Sequence, residues 1–214
     1  MVQRVKCIDY FCTICEMVFF VEGENLNIEY EARLLNIDII STIERLEQLN
    51  AKRIGTFYQK RLIYDLKPPK EGKWIRLRSN GKESTLTIKE IKTGTIDGTH
   101  ELEINVSDFD DTIEILRFLG YLPRSFQENF RIEYDLNGVR FDLDKWPMIP
   151  PLLEIEGNSE LSVLSAFDKL GISDQQLIYL DVQSIYQQKY NINLNDFTEL
   201  KFCKEELTFI EKWL

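Results

Sequence analysis

Between residues 27 and 157 apolar side chains recur mostly at every second position, in segments near 27–35, 56–66, 74–80, 84–92, 99–106, 127–136, 139–144 and 152–157. A β-strand sends successive side chains to opposite faces, so this period predicts eight strands, each with one apolar side. Turn-forming residues separate several of them: Pro68-Pro69 with Gly72, Asn80-Gly81, Gly94 with Asp97-Gly98, Asn137-Gly138, and the stretch from Pro147 to Pro151. Short links of the Asn-Gly type suit antiparallel hairpins.

Helical spacing interrupts the strands. Ile39, Ile43, Leu46 and Leu49 follow Asn36 at helical intervals, and Phe109, Ile113, Leu116 and Leu119 follow a capping-like Ser107. A third helix is predicted from Asn158 or Ser159 through Val163, Phe167 and Leu170 to Gly171, with further helical stretches within 173–190 and in the last segment, "CKEELTFIEKWL".

The polar side of each strand is charged, and the charges come in like-sign doublets: Glu29/Glu31, Arg76/Arg78, Glu101/Glu103, Asp142/Asp144 and Glu154/Glu156. Arg33, Lys89, Arg131 and Arg140 share those faces. An open sheet with one face in water also gives apolar–polar alternation. Same-face neighbours lie roughly 7 Å apart, however, so each doublet repels itself unless something neutralises it. Closing eight antiparallel strands into a barrel brings acidic and basic rows together across a lumen, where they can pair and hold a ligand. The expected fold class is therefore α+β: an eight-stranded antiparallel β-barrel, or tunnel, with flanking α-helices.

Composition narrows the chemistry. The 214-residue chain carries a formal net charge of −10, which argues against general nucleic-acid binding but leaves room for a local basic pocket. Its cysteines, Cys7, Cys12, Cys15 and Cys203, form no spanning framework of pairs, which suits a reducing cytoplasm. Cys12 and Cys15 make a lone C-x-x-C with no second pair to complete a zinc site. The only histidine, His100, falls on the parity of Leu102, away from the acidic pair, so a histidine metal site or a Ser-His centre is hard to build. Residues 8–21, "IDYFCTICEMVFFV", are apolar but too short to span a bilayer and include Asp9 and Glu16, so stable membrane insertion is not expected. Residues 1–25 read as an N-terminal extension, 26–190 as the main domain and 191–214 as a C-terminal segment; a homodimer is left open. Carboxylates are ligands for hard cations such as Mg²⁺ or Mn²⁺, and Arg and Lys match phosphate oxygens, so a lumen holding both fits a metal-bound polyphosphate.

Glu29-x-Glu31-x-Arg33, "QKRLIYDLKP" at 59–68, "WIRLR" at 74–78, "TLTIKEI" at 85–91, "ELEINV" at 101–106 and "DLDKWPMIPPLLEIEG" at 142–157 together resemble the CYTH family. These triphosphate tunnel metalloenzymes include class IV adenylate cyclases, thiamine triphosphatases and inorganic triphosphatases. The resemblance spans roughly residues 26–190. It implies a tunnel in which Arg33, Arg76, Arg78, Lys89, Arg131 and Arg140 bind phosphate. It also implies that Glu29, Glu31, Glu101, Glu103, Asp144, Glu154 and Glu156 hold Mg²⁺ or Mn²⁺, with Glu29, Glu31 and Lys89 as the catalytic candidates. Asp142 shares the face without an assigned role. Arg33 departs from the family's usual Lys; a guanidinium grips phosphate but cannot accept a proton, and a salt bridge with Glu29 or Glu31 is its bland alternative. Tyr64, Trp74 and Trp146 could stack on a base or thiazole, or belong to the core. The implied activity is metal-dependent chemistry on a triphosphate-bearing small molecule, either phosphohydrolysis or conversion of ATP to cyclic AMP and pyrophosphate. A non-catalytic polyphosphate or nucleotide sensor is the alternative.

Overall fold

The structure, a computed structural model, describes residues 26–172 and 175–213; the N-terminal extension expected over 1–25, with Cys7, Cys12 and Cys15, lies outside them. Eight strands form one antiparallel sheet: β1 (Asn27–Leu35), β2 (Lys52–Lys70), β3 (Lys73–Ser79), β4 (Ser84–Ile91), β5 (Thr99–Val106), β6 (Ser125–Leu136), β7 (Val139–Lys145) and β8 (Leu152–Gly157). Their order is β2-β3-β4-β5-β1-β8-β7-β6, and β6 pairs back with β2, which closes the barrel. Asn137 and Gly138 both have positive φ, 55° and 83°, which joins β6 to β7 through the two-residue turn whose twist matches paired strands.

Each strand's apolar side faces outward, so the hydrophobic core lies outside the barrel and helices cover it. Helices α1 (Ile39–Gln48) and α3 (Glu160–Leu170) place Ile39, Leu46, Val163, Ala166 and Leu170 against Ala32, Leu34, Ile132, Phe141, Leu143, Leu153 and Ile155. Helix α2 (Phe109–Phe118) buries Leu116 on Leu62, Tyr64, Ile75 and Leu77 of β2 and β3. Its N-cap is Asp108, which accepts from the Asp111 amide at 2.8 Å, rather than the expected Ser107; a carboxylate at the start of a helix also offsets its dipole. Strand β2 extends beyond the expected 56–66 at both ends, with irregular register between Arg53 and Gly55 and between Asp65 and Lys70.

Residues 191–213 pack on the barrel as well. Strand β9 (Glu199–Leu200) joins β6 in parallel, and helix α5 (Lys204–Ile210) follows it. Leu194, Leu200, Phe202 and Ile210 are buried, and Glu206 of α5 accepts from the Lys145 ammonium at 2.8 Å. That ammonium also donates to the Trp146 and Ile149 carbonyls at 2.6 and 2.7 Å, so α5 fixes the turn between β7 and β8. Helix α4 (Val182–Tyr190) buries Ile185 and Tyr186 beside Trp146, Ile149 and Leu152.

Truncating Ile210, 4% exposed, to Ala is expected to cost roughly 2–5 kcal/mol in urea unfolding. Leu102→Ala, at a position 45% exposed on the outer face of β5, should stay within about 0.5 kcal/mol. Equal small effects would show that the C-terminal segment adds nothing to the core.

Candidate functional site

The inward positions of the strands carry the charges, and they are buried. Glu31, Arg33, Arg76, Arg131, Asp142, Asp144 and Glu154 are all less than a tenth exposed, which excludes a water-facing sheet surface. All of them but Asp142 line a cavity of about 150 Å³. It continues past Arg78 and Glu103 into a space of about 210 Å³ near the β3–β4 turn. In the other direction it passes Trp74 and Ile91 into a wide polar mouth of about 870 Å³ beside α4. Together these spaces run the length of the barrel.

Cross-strand register sorts the charges into pairs. Lys89 of β4 stands opposite Glu101 of β5, and its ammonium lies 3.2 Å from Glu101 and 2.8 Å from Glu29 of β1. Arg76 of β3 reaches Glu103 at 3.0 Å and Glu101 at 3.7 Å, Arg78 reaches Glu103 at 3.5 Å, and the Thr87 hydroxyl donates to Glu103 at 2.6 Å. On the opposite wall Arg131 of β6 grips Asp144 in a fork, Nε to Oδ1 at 2.7 Å and Nη2 to Oδ2 at 2.6 Å, and also donates to Asp142. Arg140 of β7 pairs with Glu156 of β8 and lies 3.2 Å from Asp142.

Arg33 pairs with Glu31 at 2.6 Å and Glu154 at 2.5 Å, and not with Glu29. Its third nitrogen donates to the Leu180 carbonyl at 2.8 Å, while Arg33 and Ile178 exchange backbone hydrogen bonds of 2.8 and 2.9 Å. Glu31 also accepts from the Thr99 hydroxyl at 2.5 Å. The first-strand motif thus ties β1 to β8, β5 and the segment leading into α4.

These pairings set the protonation states. Burial works against the Lys89 ammonium, but Glu29, with Glu101 and Glu31, outweighs both burial and Arg76 and raises its proton affinity. Lys89 is therefore held as a cation at neutral pH, suited to neutralising phosphate and not to accepting a proton. Burial pushes Glu103 up, yet Arg78 and Arg76 prevail and hold it down at about 2. For Asp142 burial exceeds the pull of Arg131 and Arg140 and lifts it to about 7; Glu156 is pushed up to about 7 by burial despite Arg140. Glu29 is also raised by burial, against the pull of Lys89.

All thirteen residues expected at the site from sequence line this one cavity. The carboxylates are dispersed around it, and among the described residues no three of them converge into a cation-holding group. Their chemistry suits a hard cation, and one place is better prepared than the rest: Glu29 Oε2 and Glu101 Oε2, on either side of Lys89, are buried and accept no well-aligned hydrogen bond. Of the three candidate stacking residues, Tyr64 is in the core, Trp146 has its ring covered by the Arg61 guanidinium at 4.3 Å, and Trp74 lines the cavity.

Arg61, Gln59 and Asn129 also face inward and were not expected from sequence. Arg61 stands opposite Arg78 on one side and Gln127 on the other. Its neighbour Lys60 is a second cation on the opposite parity, so alternation alone could not say which one enters the tunnel.

Comparison with known proteins follows the same lines. Among solved structures the chain is similar to the PH1012 protein of Pyrococcus horikoshii, with 25% identity and a TM-score of 0.59 over 70% of this chain and 94% of that one. A Vibrio parahaemolyticus protein provisionally described as an adenylate cyclase shares the fold at 12% identity and a TM-score of 0.60, covering 70% of this chain and 93% of the other. The Hippeastrum protein HpAC1, described as a provisional adenylyl cyclase with a dominant triphosphatase activity, matches at 16% identity and a TM-score of 0.51, over 76% of this chain and 95% of its own. A search of curated proteins finds no significant match. A model of the CYTH domain matches residues 27–185, the span that builds the closed barrel and its charged lumen, and the chain belongs to the CYTH family.

Proposed function

We propose that this protein is a divalent-metal-dependent enzyme that hydrolyses a triphosphate compound inside the barrel. The observation that carries the reading is the convergence of Arg76, Arg78 and Arg131 with Lys89 on one buried cavity whose carboxylates carry the balancing charge. Guanidinium groups match the oxygens of a phosphoryl chain and stabilise charge that develops on it, most strongly where water is excluded. Of the described residues that line the cavity only Trp74 and Trp146 are aromatic, and Arg61 covers Trp146, so recognition falls mainly on the phosphates.

In this reading Arg76, Arg78 and Arg131 hold and orient the phosphoryl chain, and Lys89 neutralises it as a permanent cation. Glu29 and Glu101, whose buried Oε2 atoms share the one Lys89 ammonium, would hold Mg²⁺ or Mn²⁺, aided by Glu156 nearby. The cation supplies charge neutralisation at the phosphoryl oxygens. Water attacks the terminal phosphorus, the bond to the bridging oxygen breaks, and orthophosphate leaves. Positioning and charge stabilisation account for most of the rate in such chemistry. A second reading, cyclisation of ATP to cyclic AMP and pyrophosphate, is favoured by Trp74, whose ring stands where the tunnel meets the wide mouth and could carry a base.

Among the described residues no helix is long and apolar enough to cross a membrane. The four cysteines of the sequence, which form no spanning framework of pairs, support action in the cytoplasm on a small molecule.

Incubating purified protein with inorganic tripolyphosphate, thiamine triphosphate or ATP and Mg²⁺ or Mn²⁺ should release orthophosphate, and chelation by EDTA should stop it. Cyclic AMP with pyrophosphate from ATP would select the second reading, and binding without product would reduce the protein to a sensor. Glu29→Gln is expected to lower metal-dependent kcat by about a hundredfold or more while leaving the thermal midpoint unchanged or higher, because burial of this carboxylate, with Glu101 beside it, outweighs its attraction to Lys89. Wild-type turnover in this variant would remove Glu29 from the metal site. Arg78→Ala should instead raise KM for the triphosphate by roughly tenfold or more, and an unchanged KM would remove Arg78 from the phosphate clamp.

A further inference from the structure

Among the described residues one cation of the tunnel has no carboxylate within ion-pair distance. Arg61 is 6% exposed; its Nη2 donates to the neutral amide oxygens of Gln59, at 2.8 Å, and of Asn129. Its Nε is buried and has no hydrogen-bond partner. Each of Arg33, Arg76, Arg78, Lys89, Arg131 and Arg140 has a carboxylate within ion-pair distance, whereas Arg61 has none among the described residues. Asn129 stands between Arg61 and Asp144, donating to the latter at 3.1 Å.

The surroundings add positive charge. Burial, followed by Arg76, Arg78 and Arg131, lowers the proton affinity of Arg61 well below that of an ordinary guanidinium. An indole face beneath it compensates only in part. A methionine would fill the same slot with no charge to desolvate, so packing alone does not explain an arginine here.

We propose that Arg61 is a phosphoryl-binding residue at the centre of the tunnel, forming with Arg76, Arg78 and Arg131 a seat for the terminal, doubly ionised phosphoryl of a linear polyphosphate. The proposal rests on the reading that a triphosphate occupies the tunnel, and adds which end of it the four guanidiniums take. An internal phosphoryl carries one negative charge and leaves more of the cluster unbalanced, whereas a chain end carries up to two.

Calorimetric titration with linear tripolyphosphate and with cyclic trimetaphosphate, which has no chain end, tests this with Ca²⁺ in place of Mg²⁺ and with orthophosphate release checked to be absent over the titration. Wild type should bind the linear compound more tightly. Arg61→Gln should weaken it by about 10–100-fold, the loss of one or two charge-assisted hydrogen bonds, while leaving trimetaphosphate within about threefold. Without ligand, Arg61→Met should melt at or above the wild-type temperature. Equal loss for both compounds overturns the chain-end assignment. Unchanged binding of the linear compound, or a lowered midpoint with the ligand-induced shift intact, makes Arg61 structural. Should Gln or Met variants fail to fold, Arg61→Lys keeps the charge but not the fork: a linear-to-cyclic preference reduced by roughly tenfold supports the seat, and an unchanged one overturns it. A wild type that binds neither compound removes the triphosphate reading along with this one, and so is distinguishable from failure at Arg61 alone.

Discussion

Charge neutrality inside a closed barrel is the constraint from which the remainder of this structure follows. An ion taken out of water costs several kcal/mol unless a partner stands within reach, and the central cavity of this barrel is walled by eight carboxylates and eight cations. The like-charge doublets along single strands are tolerable because opposite charges reach them from other strands, some directly opposite in register, as Lys89 with Glu101, Arg131 with Asp144 and Arg33 with Glu154, and others across an intervening strand, as Arg76 and Arg78 with Glu103. With the charges committed inward, alternation sends most of the strands' apolar side chains outward, Ile63, Trp74 and Ile91 being exceptions that line the cavity. The helices and the C-terminal segment are therefore the other half of the hydrophobic core rather than decoration on a finished barrel.

A lumen neutralised in this way is suited to a ligand that is itself a salt. A polyphosphate alone would have to compete with the carboxylates for every guanidinium it touched, leaving those carboxylates buried and unpaired. A polyphosphate arriving with a divalent cation offers an exchange in which cations of the wall turn to phosphate and freed carboxylates turn to metal. The Glu29–Lys89–Glu101 cluster is arranged for such an exchange, with two buried carboxylate oxygens poorly satisfied by the one ammonium between them. Arg61 needs no exchange, since it has no carboxylate to release.

How much of this was legible in the sequence depended on whether a feature is written locally. The eight strands, the Asn137-Gly138 turn and the inward set of Glu29, Glu31, Arg76, Arg78, Glu101 and Glu103 follow from period two, and each was readable within its own segment. Arg61 was not, because "QKRLIYDLK" has cations on both parities and apolar residues on both, so only pairing with Arg78 and Gln127 assigns its direction. The helix expected within "CKEELTFIEKWL" is present as Lys204–Ile210, but where the C-terminal segment packs was opaque for a related reason. A two-residue strand is too short to show a period and a seven-residue helix too short to show which face is buried, so their place is fixed by Lys145 and by burial of Leu200, Phe202 and Ile210.

The first-strand motif shows how a single substitution redistributes roles within this charge economy. A lysine after Glu29-x-Glu31 would present one compact charge, free to turn between carboxylate and ligand. Arg33 instead spreads its charge over a fork whose three nitrogens are taken by Glu31, Glu154 and the Leu180 carbonyl. The raised proton affinity those carboxylates confer, outweighing the cost of burial, makes its cationic state permanent. Glu31 and Glu154 are in turn bound to it, and Glu31 has its other oxygen on Thr99. Their release to a metal would cut the tie between β1, β8 and the segment entering α4, whereas release of Glu29 or Glu101 disturbs only Lys89 and the edge of Arg76. In the proposed reading the carboxylates free to turn to a metal therefore lie on the Lys89 side of the lumen, and Arg33 holds in shape the wall against which a phosphoryl chain would be bound.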